Sequence, residues 1–207
     1  MDMARIQAGD RVLVVNAAGG VGTALVQIAR SAGAIVVALV GSEPKKKLVL
    51  ELGAKQVWTY DEWRDLPANP TEAFDVVMDP RGGAGLKDSM SRLRPTGRAV
   101  SFGVSSLVSG PRRSLPRTIF QLLKTPLLTP IGLGTTNRGI FGLNMLKLFD
   151  GGPGMTLLLQ AIDKVLEGFD HGRYRAIVGR AFPLREAGAA HAYLQSRAST
   201  GKVVLVV

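Results

Sequence analysis

Short apolar runs alternate with amphipathic segments over most of this chain, and the alternation predicts its elements. Residues 11–15 and 34–40 are nearly continuous apolar runs, which is typical of strands buried on both faces of a parallel sheet. Residues 23–32, between them, carry apolar side chains at helical spacing and end before Gly33. The three segments therefore predict a β-α-β unit with a right-handed crossover.

The same alternation continues towards the C-terminus. Helices are predicted over residues 45–52, 86–93, 156–168 and 187–196, and strands over residues 56–60, 74–79, 98–103, 139–143 and 202–207. Residues 104–136 are less regular because prolines interrupt them, and one or two helical turns are predicted at 119–124. The pattern predicts an α/β fold: a Rossmann-type doubly wound parallel sheet with helices on both faces.

Composition limits the class of protein. The chain has 207 residues, 46% of them hydrophobic and 20% charged, so it can bury a core and is not disordered. It has no cysteine and only two histidines, which excludes disulfide scaffolds and thiolate zinc sites and argues against a Ser-His-Asp triad. No charged and then apolar leader opens the sequence, so we expect a cytoplasmic protein.

The net charge of +10 lies mainly in the second half of the chain. Residues 104–149 contain six basic residues and no acidic one: Arg112, Arg113, Arg117, Lys124, Arg138 and Lys147. The positive electrostatic potential of such a segment favours the binding of phosphate groups, whether in a nucleotide, a nucleic acid or an anionic membrane. The segment has no RNA-binding motif and few aromatic residues, so a solvated or cofactor-facing loop is favoured over nucleic-acid or membrane binding.

A glycine-rich turn follows the first predicted strand. Residues 17–22 fit the pattern G-x-G-x-x-G with alanine in the first place, and they open the first predicted helix. There Gly19 would let the backbone approach a pyrophosphate, and Gly22 would let the helix pack closely on the strand. The candidate cofactor-binding residues of the turn are Ala18, Gly19, Gly20, Val21 and Gly22. The alternative is a purely structural tight turn.

The end of the second strand indicates which dinucleotide is bound. An NAD site usually has a carboxylate there, about 20 residues past the glycines, to accept from the ribose 2′-hydroxyl. Here Gly41 and Ser42 are followed by Glu43 and by Lys45, and the carboxylate is missing from the strand end itself. A hydroxyl and a lysine suit a 2′-phosphate, so NADP(H) is favoured, with Glu43 arguing mildly against it. A methyltransferase site is disfavoured, because it too usually places an acidic residue at this strand end.

The next two lysines, Lys46 and Lys47, are interpreted as a solvated helix face.

At this point the sequence resembles the medium-chain dehydrogenase/reductase superfamily, in its zinc-independent quinone oxidoreductase branch. The matching segments are GDRVLVVNAAGGVG, ELGAKQVWTY, FDVVMDPRGG, GRAVSFGVSS and SRASTGKVVLVV, in family order across nearly the whole chain. The stretch SFGVSSLVSG is similar to the subgroup that contains the synaptic-vesicle membrane protein homologues.

The resemblance implies NADPH binding and reduction of a small-molecule quinone or enone. In such enzymes a lysine, a tyrosine and an arginine hold the 2′-phosphate, and the matching positions are Lys45, Tyr60 and Arg197, beside Gly41 and Ser42. Each has a structural alternative: Tyr60 as a core edge, and Arg197 as an exposed helix-end residue. The nicotinamide end corresponds to Phe102, Gly103, Val104, Ser105 and Asn144.

Family subunits also begin with a GroES-like catalytic domain that this chain lacks. We therefore nominate no catalytic residue, expect no zinc, and divide the chain into an NADP-binding domain (1–180) and a C-terminal helix and strand (181–207). In the family these C-terminal elements pack on the absent domain, so the last strand is expected to pair within this chain in a changed register, or with a second copy. A homodimer and a separate catalytic-domain partner are the implied assemblies. The alternative function is a nucleotide-binding module without turnover, completed by a partner or acting as a sensor.

Overall fold

The computed structural model describes residues 3–67, 69–103, 126–149 and 152–207. Its strands are β1 (Arg11–Val14), β2 (Ile35–Val40), β3 (Gln56–Thr59), β4 (Phe74–Asp79), β5 (Leu93–Ser101), β6 (Gly139–Gly142), β7 (Val178–Pro183) and β8 (Lys202–Val206). Its α-helices are α1 (Gly22–Ser31), α2 (Lys46–Glu51), α3 (Tyr60–Asp65), α4 (Gly83–Ser91), α5 (Pro130–Thr136), α6 (Met145–Leu148), α7 (Gly152–Asp170) and α8 (Ala187–Gln195). The turns predicted at 119–124 lie outside the described residues.

The first six strands form one parallel sheet in the order β3-β2-β1-β4-β5-β6. The chain winds outwards from β1 to β3, returns to the other side of β1, and winds outwards again from β4. Neighbouring loops therefore diverge at the carboxyl ends of β1 and β4, which is where doubly wound folds bind their ligands. The predicted Rossmann-type fold is confirmed.

Alternate residues of the buried strands enter two separate cores, one on each face of the sheet. Val12 and Val14 pack with Val26 of α1 and Val49 of α2. Leu13, the residue between the two valines, packs in a second cluster that includes Trp63 of α3 and Leu86 of α4. This is the period-two geometry of a strand, with helices covering both faces, and it explains why β1 and β2 have no polar side.

β8 pairs with β7 in a separate two-stranded parallel sheet, with Val203 beside Arg180 and Leu205 beside Phe182. Pairing of the last strand within the chain, one of the two expected outcomes, is thus observed, whereas the expected change of register stays a prediction. β7 itself was not predicted, because polar and small residues break up its apolar pattern and five of its six residues are not buried. The division at residue 180 stays a prediction.

Several predicted boundaries differ from those in the structure, and two regions show the physical reason. The helix predicted over 86–93 lies at Gly83–Ser91, and the strand predicted over 98–103 already begins at Leu93 as β5, so Pro95 and Gly97 lie within that strand. The sheet accommodates them through a register shift opposite Phe74 and Val76, and Thr96 has a φ of 70°. The strand predicted over 56–60 ends at Thr59, because Thr59 and Glu62 form a capping box that starts α3 at Tyr60.

Candidate cofactor-binding site

The glycine-rich turn lies at the carboxyl edge of the sheet and joins β1 to α1. The Gly19 amide donates to the Asn16 carbonyl at 3.1 Å, and the Thr23 amide donates to the Gly19 carbonyl at 2.9 Å. A Cβ atom on Gly22 would lie 2.6 Å from Ala17 Cα and closer still to the Asn16 carbonyl oxygen. Glycine is therefore required for α1 to pack this closely on β1, as predicted for this position.

The first turn of α1 faces the same edge, and no capping side chain accepts hydrogen bonds from its free backbone amides. Val21 at the N-cap has no side chain that accepts a hydrogen bond, and the first turn contains no acidic residue. Backbone amides at a helix N-terminus carry partial positive charge and need acceptors. The turn and the helix together therefore have the polarity that a pyrophosphate requires.

The C-terminal segment lies against this turn. The Gly201 amide donates to the Ala18 carbonyl at 2.8 Å, and Gly19 and Gly201 form an isolated parallel bridge. A Cβ atom on Gly20 would lie 3.0 Å from Lys202 Cδ and 3.2 Å from the Gly201 carbonyl oxygen. The residues before β8 thus form one wall of the site, although they are about 180 positions away from the turn in the chain.

Lys45, Tyr60 and Arg197 converge at the carboxyl ends of β2 and β3. The Lys45 ammonium donates to the Arg197 carbonyl at 2.7 Å and to the Ser199 carbonyl at 3.0 Å. Arg197 is also close enough to Tyr60 to act electrostatically on its phenol. Burial lowers the pKa of Lys45 below its ordinary value of 10.5, because desolvation disfavours the charged form. The three predicted phosphate-binding residues are therefore brought together.

Among the described residues, no carboxylate forms an ion pair with Lys45 or Arg197. Glu43, the nearest acidic residue in sequence, pairs instead with Lys46 at 2.8 Å, and Lys46 also contacts Glu62 at 2.7 Å. The interpretation of Lys46 as a solvated residue is wrong, since its side chain is only 16% exposed. This pairing keeps Glu43 away from the two unneutralised cations.

Gly41 and Ser42, at the end of β2, are both exposed. A Cβ atom on Gly41 would meet no atom within 4 Å. Ser42 has an extended backbone before the 3-10 turn at Glu43–Lys45, and no hydrogen bond from its side chain caps that turn. The strand end beside Lys45 is therefore open to a ligand.

Tyr60 lies over a buried polar cluster that was not predicted from the sequence. Burial, followed by the nearby Asp79 carboxylate, raises the pKa of Tyr60, while Arg81 and the Asn16 backbone act in the opposite direction. The Arg81 guanidinium lies 5.1 Å from the centre of the Tyr60 ring. Asp79 is fully buried and accepts from Arg81 at 3.1 Å and from the Ser89 hydroxyl at 2.8 Å.

In the sequence, this cluster was indicated by the charged residues Asp79 and Arg81 in the segment DPRGG.

The predicted nicotinamide end is only partly described. Phe102 and Gly103 follow β5, where the Phe102 amide donates to the Asp79 carbonyl at 3.2 Å. Asn144 follows β6, further along the same edge, and its side chain accepts from the Leu146 amide at 3.1 Å, capping α6. Val104 and Ser105 lie outside the described residues. The roles of all five residues stay predictions.

A family model and several known proteins match most or all of this chain. The family model described as "Zinc-binding dehydrogenase" matches residues 52–205, which is most of the chain. This chain belongs to that family. Its relatives place it in the medium-chain dehydrogenase/reductase superfamily, as the sequence segments indicated.

Several members of this dehydrogenase family are similar to the whole chain. The human synaptic vesicle membrane protein VAT-1 homolog is 28% identical over 99% of this chain and 52% of its own length. A mouse quinone oxidoreductase is 30% identical over 99% of this chain and 57% of its own. The solved quinone oxidoreductase of Thermus thermophilus, studied also as a complex with NADPH, matches the fold with a TM-score of 0.80, at 30% identity, over 100% of this chain and 60% of that one.

The chain thus spans about half of the length of the curated relatives it matches.

The donor set does not fit the zinc ion of the family description. The sequence has no cysteine, and His171 Nδ1 lies 2.8 Å from the Glu167 carbonyl on exposed α7. Within residues 3–67, 69–103, 126–149 and 152–207 there is no group of three or more potential metal ligands. No residue of these ranges is therefore assigned as a zinc ligand.

No helix in the same ranges has the length and apolar character to cross a membrane.

Proposed function

We propose that this dehydrogenase-family chain is the NADP(H)-binding part of an oxidoreductase of the quinone or enone reductase type. The observation that carries the proposal is the convergence of Lys45, Tyr60 and Arg197 beside a glycine-rich turn, with no carboxylate paired to either cation among the described residues. Two cations without carboxylate partners, one of which is partly desolvated, are a favourable environment for a phosphate group.

The bound cofactor would contact both the glycine-rich turn and the Lys45, Tyr60 and Arg197 group at the carboxyl edge of the sheet. The turn at Ala18–Gly22 and the N-terminus of α1 would hold the pyrophosphate, and Ser42, Lys45, Tyr60 and Arg197 would hold the 2′-phosphate. Phe102 and Gly103, with Val104, Ser105 and Asn144, would line the nicotinamide end. When bound, NADPH supplies a hydride to a carbonyl-conjugated acceptor. The protein's part is to bind, orient and desolvate, so no catalytic residue is assigned.

A side-by-side titration with NADPH and NADH tests the cofactor. NADPH should bind more tightly than NADH, because only NADPH carries the 2′-phosphate. Lys45→Met should weaken NADPH binding by roughly 10- to 100-fold, the loss of one charge-assisted hydrogen bond, and leave NADH binding unchanged. Lys47→Met is the matched control, since Lys47 is exposed in the first turn of α2, two residues after Lys45. Equal affinities for the two cofactors in the unaltered chain would refute the proposed site.

The second candidate is a nucleotide-binding module without turnover of its own. It is motivated by the share of its relatives that the chain spans, about half of their length. The discriminating assay follows NADPH oxidation by para-benzoquinone after NADPH binding is established. Efficient oxidation by this chain alone supports the enzyme, whereas binding without oxidation supports a module that a separate catalytic-domain partner completes, or a sensor.

We also propose a zinc-independent homodimer in the cytoplasm. The dimer is supported by β6, which forms one edge of the six-stranded sheet and exposes Phe141 and Gly142. Sedimentation equilibrium measures the oligomeric state directly.

Binding of RNA or an anionic membrane through residues 104–149 is the least favoured function. It would be supported by salt-dependent retention of the chain on RNA or anionic vesicles.

A further inference from the structure

A cavity of about 300 Å³ lies at the opposite edge of the sheet from the cofactor site. It is bounded by the first residues of β1, β4 and β5, by the end of α3, and by the residue before β6, Arg138. Arg11, on its wall, begins β1, whereas the glycine-rich turn follows the other end of that strand. The cavity is therefore separate from the edge where Lys45, Tyr60 and Arg197 meet.

Arginines dominate the charge of this cavity. Arg11, Arg92, Arg94 and Arg138 line it, and Glu72 is the only acidic residue among its described lining residues. Two of the arginines are engaged: Arg94 pairs with Asp75, and Arg92 donates to the carbonyls of Trp63 and Leu66 at 3.1 and 3.0 Å.

The other two arginines lack ion-pair partners of this kind, although the Arg11 guanidinium lies 5.6 Å from the centre of the Phe74 ring. Neither Arg11 nor Arg138 forms an ion pair with any described carboxylate. In each of them the Nε atom is buried without a hydrogen-bond partner. Both side chains line the cavity, so their positive charge, which no described carboxylate neutralises, would stabilise an anion bound there.

Most of the remaining lining is apolar or aromatic, beside the polar residues Gln56, Asn69 and Ser91. Both tryptophans of the chain, Trp58 and Trp63, line the cavity together with Phe74 and Leu66. The Trp63 side chain is largely buried, and its ring lies 6.0 Å from that of Phe74. Such walls favour a flat hydrophobic body over a hydrated inorganic ion.

We propose that this cavity binds a small aromatic carboxylate, with the ring against Trp58 and Trp63 and the carboxylate towards Arg11 and Arg138. The volume is at the lower end of the range of small-molecule sites, which suits a single-ring ligand. The proposal does not depend on cofactor binding, since it uses a different edge of the sheet.

The two tryptophans make the test direct. Benzoate is titrated into the full chain while tryptophan fluorescence is followed, with benzamide as an uncharged probe of nearly the same shape. Benzoate should change the fluorescence saturably, with a Kd of roughly 1 mM or below. Benzamide should bind at least about tenfold more weakly, because it cannot form the charge-assisted hydrogen bonds.

Three variants test whether benzoate binds in this cavity. Arg138→Gln and Arg11→Gln should each weaken benzoate binding by about tenfold or more. Arg64→Gln is the control, because Arg64 lies exposed on α3, the helix of Trp63, and pairs with Asp61. Circular dichroism checks that each variant is folded. The proposal is overturned if benzoate gives no saturable change, if benzamide binds as tightly, or if both cavity variants bind benzoate like the unaltered chain.

Discussion

Gly22→Ala tests the packing that creates the cofactor edge. The added Cβ would lie 2.6 Å from Ala17 Cα, and the neighbouring Asn16 carbonyl oxygen is closer still. Two carbon atoms attract at about 3.5–4.0 Å, so α1 would have to move about 1 Å away from β1. The obstructing atoms are backbone, which cannot relieve the overlap by changing rotamer.

We expect a loss near the upper end of the range for overpacked cores, about 3 kcal/mol in the free energy of unfolding. Urea unfolding followed by circular dichroism measures it. With a urea dependence of about 2 kcal/mol per molar, the midpoint should fall by more than 1 M. The displaced helix N-terminus should also weaken NADPH binding by the folded variant.

Gly188→Ala is the matched control for this substitution. Gly188 lies within α8, and a Cβ atom there would meet nothing within 4 Å. Alanine is the better helix former, so this variant should be neutral or more stable by up to about 1 kcal/mol. An unchanged urea midpoint for Gly22→Ala would show that the close approach of α1 to β1 is not required, and would refute the reasoning.

Two further predictions concern polar contacts near the site. Ser89→Ala removes a donor from the buried Asp79 carboxylate and should lower the free energy of unfolding by about 1–2 kcal/mol, whereas Ser91→Ala on the same helix should have little effect in the same urea assay. The Lys46 and Thr59 contacts lower the pKa of Glu62 to about 2 from 4.5. Their stabilising contribution is therefore present above pH 4.5 and lost as the pH falls towards 2; unfolding measured against pH should show this loss, and Glu62→Gln should remove it.

The local pattern of apolar and polar residues was sufficient to predict the central sheet. The apolar runs of β1 and β2, the glycines between them, and the alternation that follows predicted a doubly wound fold, because a strand covered on both faces has no polar positions. Gly22 was predicted for the same reason, since close helix–strand packing has a specific residue requirement. Lys45 was predicted from the missing carboxylate at the end of β2, and Tyr60 and Arg197 were predicted from family resemblance; the structure shows that the three residues meet.

Other features depend on contacts that sequence spacing does not encode. Lys46 is adjacent to Lys47 in the sequence, yet it is half-buried and pairs with Glu62 from the next helix. β7 becomes a strand because β8 offers it a partner. The Asp79, Arg81 and Ser89 cluster and the arginine-lined cavity each join residues from several elements.

The sequence by itself determined the class of fold and the chemistry available at the glycine-rich turn, since both follow from local periodicity and from the absence of a side chain at particular positions. Only the tertiary structure decided which cations remain without carboxylate partners. The Lys46 ammonium is neutralised by Glu43 and Glu62, while the Lys45 ammonium contacts only the backbone carbonyls of residues 197 and 199 among its described hydrogen-bond partners. The physical reason is that charge pairing acts over a few ångströms in space, and the packing of α2 and α3 sets those distances.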